Sequence, residues 1–320
     1  MQDEPWLLWR MEIGGLVGFV SFALAASAAI WLRRRRRAQE KERPPQTTNL
    51  LRPPGYSLQQ RLETLNDNWY DSALQLMLFG GLSGACVATW IPLVLAILHR
   101  PALAGELLAT PFPRRWPFLV FSILTMAALW LAVRGLRRML KTAEKLRACR
   151  LGLRGEQAVA EALNTGSLAA AGYMGFHDIP GDGDWNIDHV VVGPGGVFVI
   201  ETKSRSRRKA KIKQEEHVVT FDGQTLRFPW CQDQKAARQA ARNAEWLQKF
   251  LNGYAPGNLT VQPIVVVPGW WAEALGNYPV KVMNAKYLIT FLSKAPHQFT
   301  SEQLKPLLLR LDERCRTVEF

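Results

Sequence analysis

Two acids and a lysine, Asp188, Glu201 and Lys203, lie on either side of a Gly-Pro-Gly-Gly turn in the stretch IDHVVVGPGGVFVIETK. Runs of β-branched residues flank the turn, which is the pattern of a β-hairpin. Pairing Val192 with Val197 sets Val190 against Val199 and Asp188 against Glu201. Side chains alternate along a strand, so Asp188, Val190 and Val192 share a face with Val197, Val199, Glu201 and Lys203. Directly opposed residues are about 4.5–5.5 Å apart at Cβ, a spacing at which two carboxylates repel. A cation between them removes the repulsion, and a hard divalent ion such as Mg²⁺ or Mn²⁺ is held by carboxylates and waters. Lys203 would face the same site, where its ammonium can orient a water or neutralise charge developing at phosphorus. The alternative is a surface hairpin with scattered charges, and a one-residue bulge would turn one strand's set to the other face.

The elements around the hairpin add to this set. LGLRGEQAVAEALNTG reads as a helix starting near Leu151 and closed by Gly166. Val159, Ala160 and Leu163 follow Glu156 by three, four and seven residues, which puts Glu156 on the apolar face. A carboxylate buried there needs a partner or a metal. As a first-turn acid it could equally serve the helix dipole. After Lys203, the residues Arg205, Arg207, Arg208, Lys209, Lys211 and Lys213 form a basic run suited to a nucleic-acid backbone, or simply a solvated loop. EEHVVTFDGQTLRF reads as a second hairpin turning at Asp222-Gly223. A helix is expected over Asp233–Leu251, with a stripe of Ala236, Ala240, Ala244, Leu247 and Leu251. Val261–Val267 reads as a buried strand, and Lys286–Leu292 and Ser301–Arg314 as closing helices. His177, His189 and His217 lack metal-ligand spacing, and His189 should face away from Asp188.

An acid, a strand-turn-strand and Glu201-Thr-Lys203, with Glu156 on a preceding helix, resemble the PD-(D/E)XK nuclease superfamily. More closely, GEQAVAEAL, IDHVVVGPGGVFVIETKSR and the later Gln-bearing helix resemble the nuclease-related domain, NERD, over about Leu151–Pro268. The resemblance implies an α/β, restriction-endonuclease-like core, a mixed sheet flanked by helices. It implies metal-dependent hydrolysis of nucleic acid, with DNA favoured over RNA. Asp188 and Glu201 would hold Mg²⁺ or Mn²⁺, with the Thr202 carbonyl as a further ligand. Lys203 would assist the attacking water, and Glu156 would complete the metal site or its water shell. The family's helix glutamine maps to Gln239. Ile187 stands where the superfamily name has proline. A module that binds nucleic acid or signals without catalysis is the competing class.

The chain has 320 residues and a formal net charge of +13, with 40 Lys+Arg against 27 Asp+Glu. Residues 1–150 hold 20 Lys+Arg and 10 Asp+Glu, so most of the excess lies outside the hairpin half. Four cysteines without a C-x-x-C pair exclude a disulfide scaffold and a zinc cluster. Charge-free or nearly charge-free runs at 13–32, 73–98 and 116–133 are near the ~20 residues that cross a bilayer. Trp and Tyr gather at their edges, and Arg33–Arg37 follow the first run. These features predict a three-helix transmembrane region over 1–150 with a cytosolic linker at 33–72. They place the N-terminus outside, the lipid bilayer as a partner, and the nuclease-like domain on the cytoplasmic side of the inner (plasma) membrane. The nuclease-related domain is then expected over 151–268 and a helical closing segment over 269–320.

Overall fold

A computed structural model describes residues 24, 26–28, 30–32, 34–35, 50–99, 101–102, 112–206, 217–255, 257 and 259–316, except the side chains of 88–89, 91–97 and 112–121. The chain divides into two compact units, one of Met1–Glu42 with Thr64–Leu146, the other of Arg43–Glu63 with Arg147–Phe320. Two long helices run through both: α1, Tyr56–His99, and α2, Phe112–Leu163. In the first unit they approach closely at Gly135, where a Cβ would lie 3.2 Å from the Leu76 backbone nitrogen.

The expected transmembrane region and inner-membrane location are not supported. Among the described residues no helix is long and apolar enough to cross a membrane. The apolar runs 73–98 and 116–133 are segments of helices of 44 and 52 residues that also carry charge. Arg61, Glu63, Asp67 and Asp71 lie on α1. Arg134, Arg137, Arg138, Lys141 and Lys145, read as the flank of a span, lie along α2. Most of the run 13–32 lies outside the described residues. The helix expected to start near Leu151 is the end of α2, because LRRMLKTAEKLRACRLGL offers no breaker stronger than single glycines.

The second unit is mixed α/β, but it is built on two sheets instead of one. After a short helix α3 (Gly166–Ala170) come β1 (Met174–Pro180), β2 (Asn186–Gly193) and β3 (Gly196–Thr202). Three short strands follow: β4 (Val218–Phe221), β5 (Leu226–Phe228) and β6 (Cys231–Asp233). Helix α4 (Ala236–Leu251) leads to β7 (Val261–Val266), β8 (Trp271–Ala274) and β9 (Lys281–Met283), then α5 (Ala285–Ser293) and α6 (Ser301–Cys315). The main sheet has the order β1-β2-β3-β7-β9, and the second β6-β5-β4-β8. β2 and β3 pair in the expected register, Val192 with Val197 and Val190 with Val199. β7 lies parallel to β3 and prolongs the ladder to a 2.8 Å bond from Lys203 N–H to the Val266 carbonyl. Residues 269–320 thus supply two strands as well as two helices.

Both faces of the main sheet are covered, which is why its strands are nearly continuous runs of Val and Ile. Val190, Val192, Val197 and Val199 pack with Ala244, Leu247 and Leu251 of α4 and Leu304, Leu307 and Leu311 of α6. Val191, Phe198 and Ile200 pack with Val159 and Leu163 of α2 and Leu288 and Leu292 of α5. The small residues of α4 do what their spacing implied, with Ala236, Ala240 and Ala244 all buried. Helix α6 starts at Ser301, as its sequence suggested, and Thr300 and Gln303 close a capping box at that end.

Gly155 lets α2 reach the end of β3. A Cβ there would overlap the Ser204 hydroxyl and lie 2.9 Å from the Ser204 Cβ. Gly155→Ala should therefore cost about 1–3 kcal/mol, the usual penalty of overpacking. Chemical denaturation of the single variant and of Gly155→Ala with Ser204→Gly checks this, because the second change should restore most of the loss.

Candidate active site

The end of the β2–β3 hairpin collects the acids. Asp188, Glu201 and Glu156 are all buried, at 8%, 4% and 6% exposure. The ladder stops at His189 with Ile200, and its register continues to Asp188 opposite Glu201. Beyond that point the Asp188 carboxylate takes over a backbone role. Its Oδ2 accepts the Thr202 N–H at 2.7 Å. Glu156 comes from α2, brought in by the close approach at Gly155.

A fourth acid was not legible as a site residue. On β1, His177 pairs with His189 and Ile179 with Ile187, so Asp178 stands opposite Asp188. Asp178 is fully buried and adopts a left-handed backbone, φ 51°. Its carboxylate accepts from Arg52 at 3.2 Å, from the Ser57 N–H at 3.2 Å, from the Ser57 hydroxyl at 2.8 Å and from Asn186 at 2.7 Å. Its signal was the acid in FHDIP facing IDHVV, visible only once β1 is known to pair with β2.

The acids perturb one another. Burial pushes Glu156 up to about 9, with the charges of Asp188 and Asp178 adding to the effect. Burial also raises Asp188, to about 7; the Thr202 N–H opposes this, Asp178 adds to it, and Lys203 opposes it. Glu201 is held well above the usual carboxylate range by burial and then by Asp188, against Lys203 and Arg242. Raised folded-state values mean that the folded chain holds protons more tightly than the unfolded one, whose carboxyls titrate near pH 4. This stability is complete below that pH and is lost as pH rises through about 7 and then about 9. Between about pH 7 and pH 9, where the buried histidines are neutral both folded and unfolded, the melting temperature of the metal-free protein should therefore fall. Added Mg²⁺ should raise it more at pH 8 than at pH 5; scanning calorimetry in EDTA and in Mg²⁺ checks both.

Lys203 is next to the acids in effect, since its charge lowers Asp188 and Glu201. Its ammonium also lies 3.2 Å from Asp233. Asp233 takes Arg205 at 2.6 Å on the same oxygen, and its other oxygen caps α4 through the Lys235 and Ala236 N–H groups. Its sequence context shows only a helix start, so its place beside Lys203 is a finding of the structure. Gln239 is half-buried on α4. One turn on, Arg242 acts on Glu201, and Asn243 is fully buried with its amide nitrogen unpartnered. Of the basic run only Arg205 lies within the described residues; Arg207, Arg208, Lys209, Lys211 and Lys213 lie outside them.

Two observations bear on a metal. One buried oxygen each of Glu156 and Glu201 has no hydrogen-bond partner. Buried, mutually repelling, unpartnered carboxylates are what a divalent cation satisfies. Among the described residues, however, no group of three or more His, Cys, Asp or Glu side chains is placed to hold a metal ion. The unpartnered oxygens of Glu156 and Glu201 are of the kind that a hard ion, held by one or two carboxylates and completed by water and phosphate, would satisfy. The histidines are apart from this chemistry. His177 and His189 meet through Nδ1 at 2.9 Å, and burial lowers both.

These acids stand in a sequence that matches a known family. The family model of the nuclease-related domain, NERD, matches residues 151–268, the stretch whose motifs carried the resemblance. No curated protein and no solved structure matches the chain.

Proposed function

We propose that the domain built around residues 151–268 is a divalent-metal-dependent nuclease of the PD-(D/E)XK type that hydrolyses phosphodiester bonds, DNA before RNA. The observation that carries this reading is the cluster of buried acids with raised pKa values and unpartnered oxygens beside Lys203. Asp188 and Glu201 hold Mg²⁺ or Mn²⁺, and Glu156 holds its water shell. The bound ion supplies charge stabilisation at the phosphate and a more acidic water.

The chain's own residues do the rest. Asp188 is oriented by the Thr202 N–H. Lys203, positioned through Asp233, places its ammonium where a water is oriented and negative charge grows. Gln239 on α4 contacts the substrate side of the site. Arg205 begins a basic segment through Lys213 that contacts the phosphate backbone without sequence preference.

Purified full-length protein incubated with plasmid DNA or RNA in Mg²⁺ or Mn²⁺ should cleave at least one of them, and EDTA should stop the reaction. Lys203→Ala should lower the rate by about 10²–10³, the loss typical of removing one charge-stabilising donor. Equal rates for the two proteins would instead favour a nucleic-acid-binding module, in which Lys203 serves only its ion pair with Asp233.

A further inference from the structure

Arg238, Arg242, Trp246 and Phe250 recur at four-residue steps along α4 and so form one row on the helix. Tyr254 continues the step beyond its end. α6 brings a second row, Arg310 and Arg314, against the first. A run of three rings then lies between two guanidinium groups. The Arg242 guanidinium lies 5.1 Å over the Trp185 ring, and Trp185 meets Trp246 edge-on at 5.2 Å. Trp246 stacks on Phe250 at 5.1 Å with 9° between planes. Arg310 lies 4.8 Å over Phe250 and 5.3 Å over Tyr254.

The cations differ in what they are bound to. Arg314 donates to the carbonyls of Pro180 and Gly181 and to Asp182, and Asp182 also takes the Trp246 indole N–H. These bonds anchor the stripe to the β1–β2 loop. Among the described residues Arg310 has one ion pair, a 3.4 Å contact with the exposed Glu313. Arg242 is exposed, and its hydrogen bond to Asn243 is a long 3.4 Å. Arg242 and Arg310 are thus held in place more by rings than by counter-charges. The stripe also begins at the acids. Trp185 lies three residues before Asp188, and Arg242 acts on Glu201.

We propose that this arginine–aromatic stripe is a binding track for an unpaired nucleic-acid strand and leads its phosphates to Asp188 and Glu201. It deepens the nuclease reading and rests on it, adding the class of substrate. Proteins that hold single strands combine a cationic path for the backbone with aromatic and guanidinium planes on which bases stack. A duplex keeps its base faces covered and could use only the charges. Arginines already laid on rings lose little further freedom when they bind phosphate.

Fluorescence anisotropy of the full chain tests this in EDTA, where binding is read without cleavage. The probe is a labelled oligodeoxythymidylate of about 20 nucleotides, longer than the roughly 16 that one small fold covers. Unlabelled single strand should displace it, and duplex of the same length should not. Arg242→Glu with Arg310→Glu should weaken binding at least tenfold, and the salt slope should fall by about 1.4 for two lost phosphate contacts. Trp246→Ala should weaken binding with the slope unchanged. Arg227→Glu, outside the stripe, should bind as wild type, and circular dichroism checks that every variant is folded. Wild-type affinity in the double charge reversal, or equal competition by duplex, overturns the track. Wild type that binds single strands but cleaves nothing in Mg²⁺ or Mn²⁺ overturns the nuclease reading and leaves the track standing. Cleavage unchanged by the double reversal does the opposite.

Discussion

An Asp188→Asn variant is expected to lose metal-dependent cleavage by a factor of about 10² or more while its metal-free fold becomes more stable at pH 8. Asparagine is nearly isosteric and keeps an oxygen for the Thr202 N–H, which Asp188 accepts at 2.7 Å. What it removes is a charge. Asp188 lies between Asp178 and Glu201 in strand register and raises the pKa of both Glu156 and Glu201. With its own pKa near 7, it is mostly ionised at pH 8 and mostly neutral at pH 5. Removing it should relieve repulsion at the higher pH only. A gain of about 1 kcal/mol would raise the melting temperature by a few degrees in a chain of this size. The difference between the two proteins should shrink as pH falls toward 4, where the unfolded carboxyl becomes protonated as well. Mg²⁺ should stabilise wild type and leave the variant nearly unmoved. A variant that melts lower at pH 8 would show that Asp188 is a structural acid and that the cluster is not under electrostatic strain.

The second large effect is expected at Asp178. Its carboxylate gathers Arg52, Ser57 and Asn186 onto β1, and so ties the segment before α1 to the sheet. That segment lies against α2. At Gly55, φ 73°, a Cβ would overlap Leu153 and lie 3.4 Å from the Glu156 carboxylate. Asp178→Ala breaks a buried ion pair, which typically costs about 3–5 kcal/mol. It also places alanine in the left-handed region, at a further cost of about 1 kcal/mol. Urea denaturation should show a loss in that range. Asp178→Asn should lose less, because asparagine tolerates the left-handed backbone and keeps one acceptor. It should also let Glu156 and Asp188 titrate lower, since the Asp178 charge raises both. A loss in Asp178→Ala no larger than an ordinary surface change would remove Asp178 from the account.

The hairpin was legible because its evidence is local. Alternating Val and Ile on either side of GPGG set the register, and the register alone put Asp188 opposite Glu201. Glu156 followed from helical periodicity. What could not be read depended on partners distant in sequence. Asp178 looks like a loop acid until β1 is paired with β2, and MGFHDIP alternates too weakly to declare a strand. Asp233 has the ordinary profile of a helix cap; its contact with Lys203 comes from β5 and β6, strands of three residues each. Of the second sheet, the β4–β5 hairpin turning at Asp222-Gly223 was legible, whereas β6 and β8, short strands paired at a distance, were not. The membrane reading failed through element length. The apolar runs 73–98 and 116–133 are parts of α1 and α2, whose other parts carry Asp67, Asp71, Arg134 and Lys141. The row of Arg242, Trp246 and Phe250 was present as a four-residue repeat, but the repeat alone does not reveal that Arg310 and Trp185 join it.

The most direct test of the central claim is the rate of phosphodiester cleavage by the purified full-length protein, measured on one single-stranded substrate with Mn²⁺, with Mg²⁺ and with EDTA, in wild type and Asp188→Asn side by side. Cleavage by wild type in either metal, absent in EDTA and absent in the variant, is the predicted result. Cleavage that persists in Asp188→Asn, or no cleavage by wild type in either metal, would contradict it.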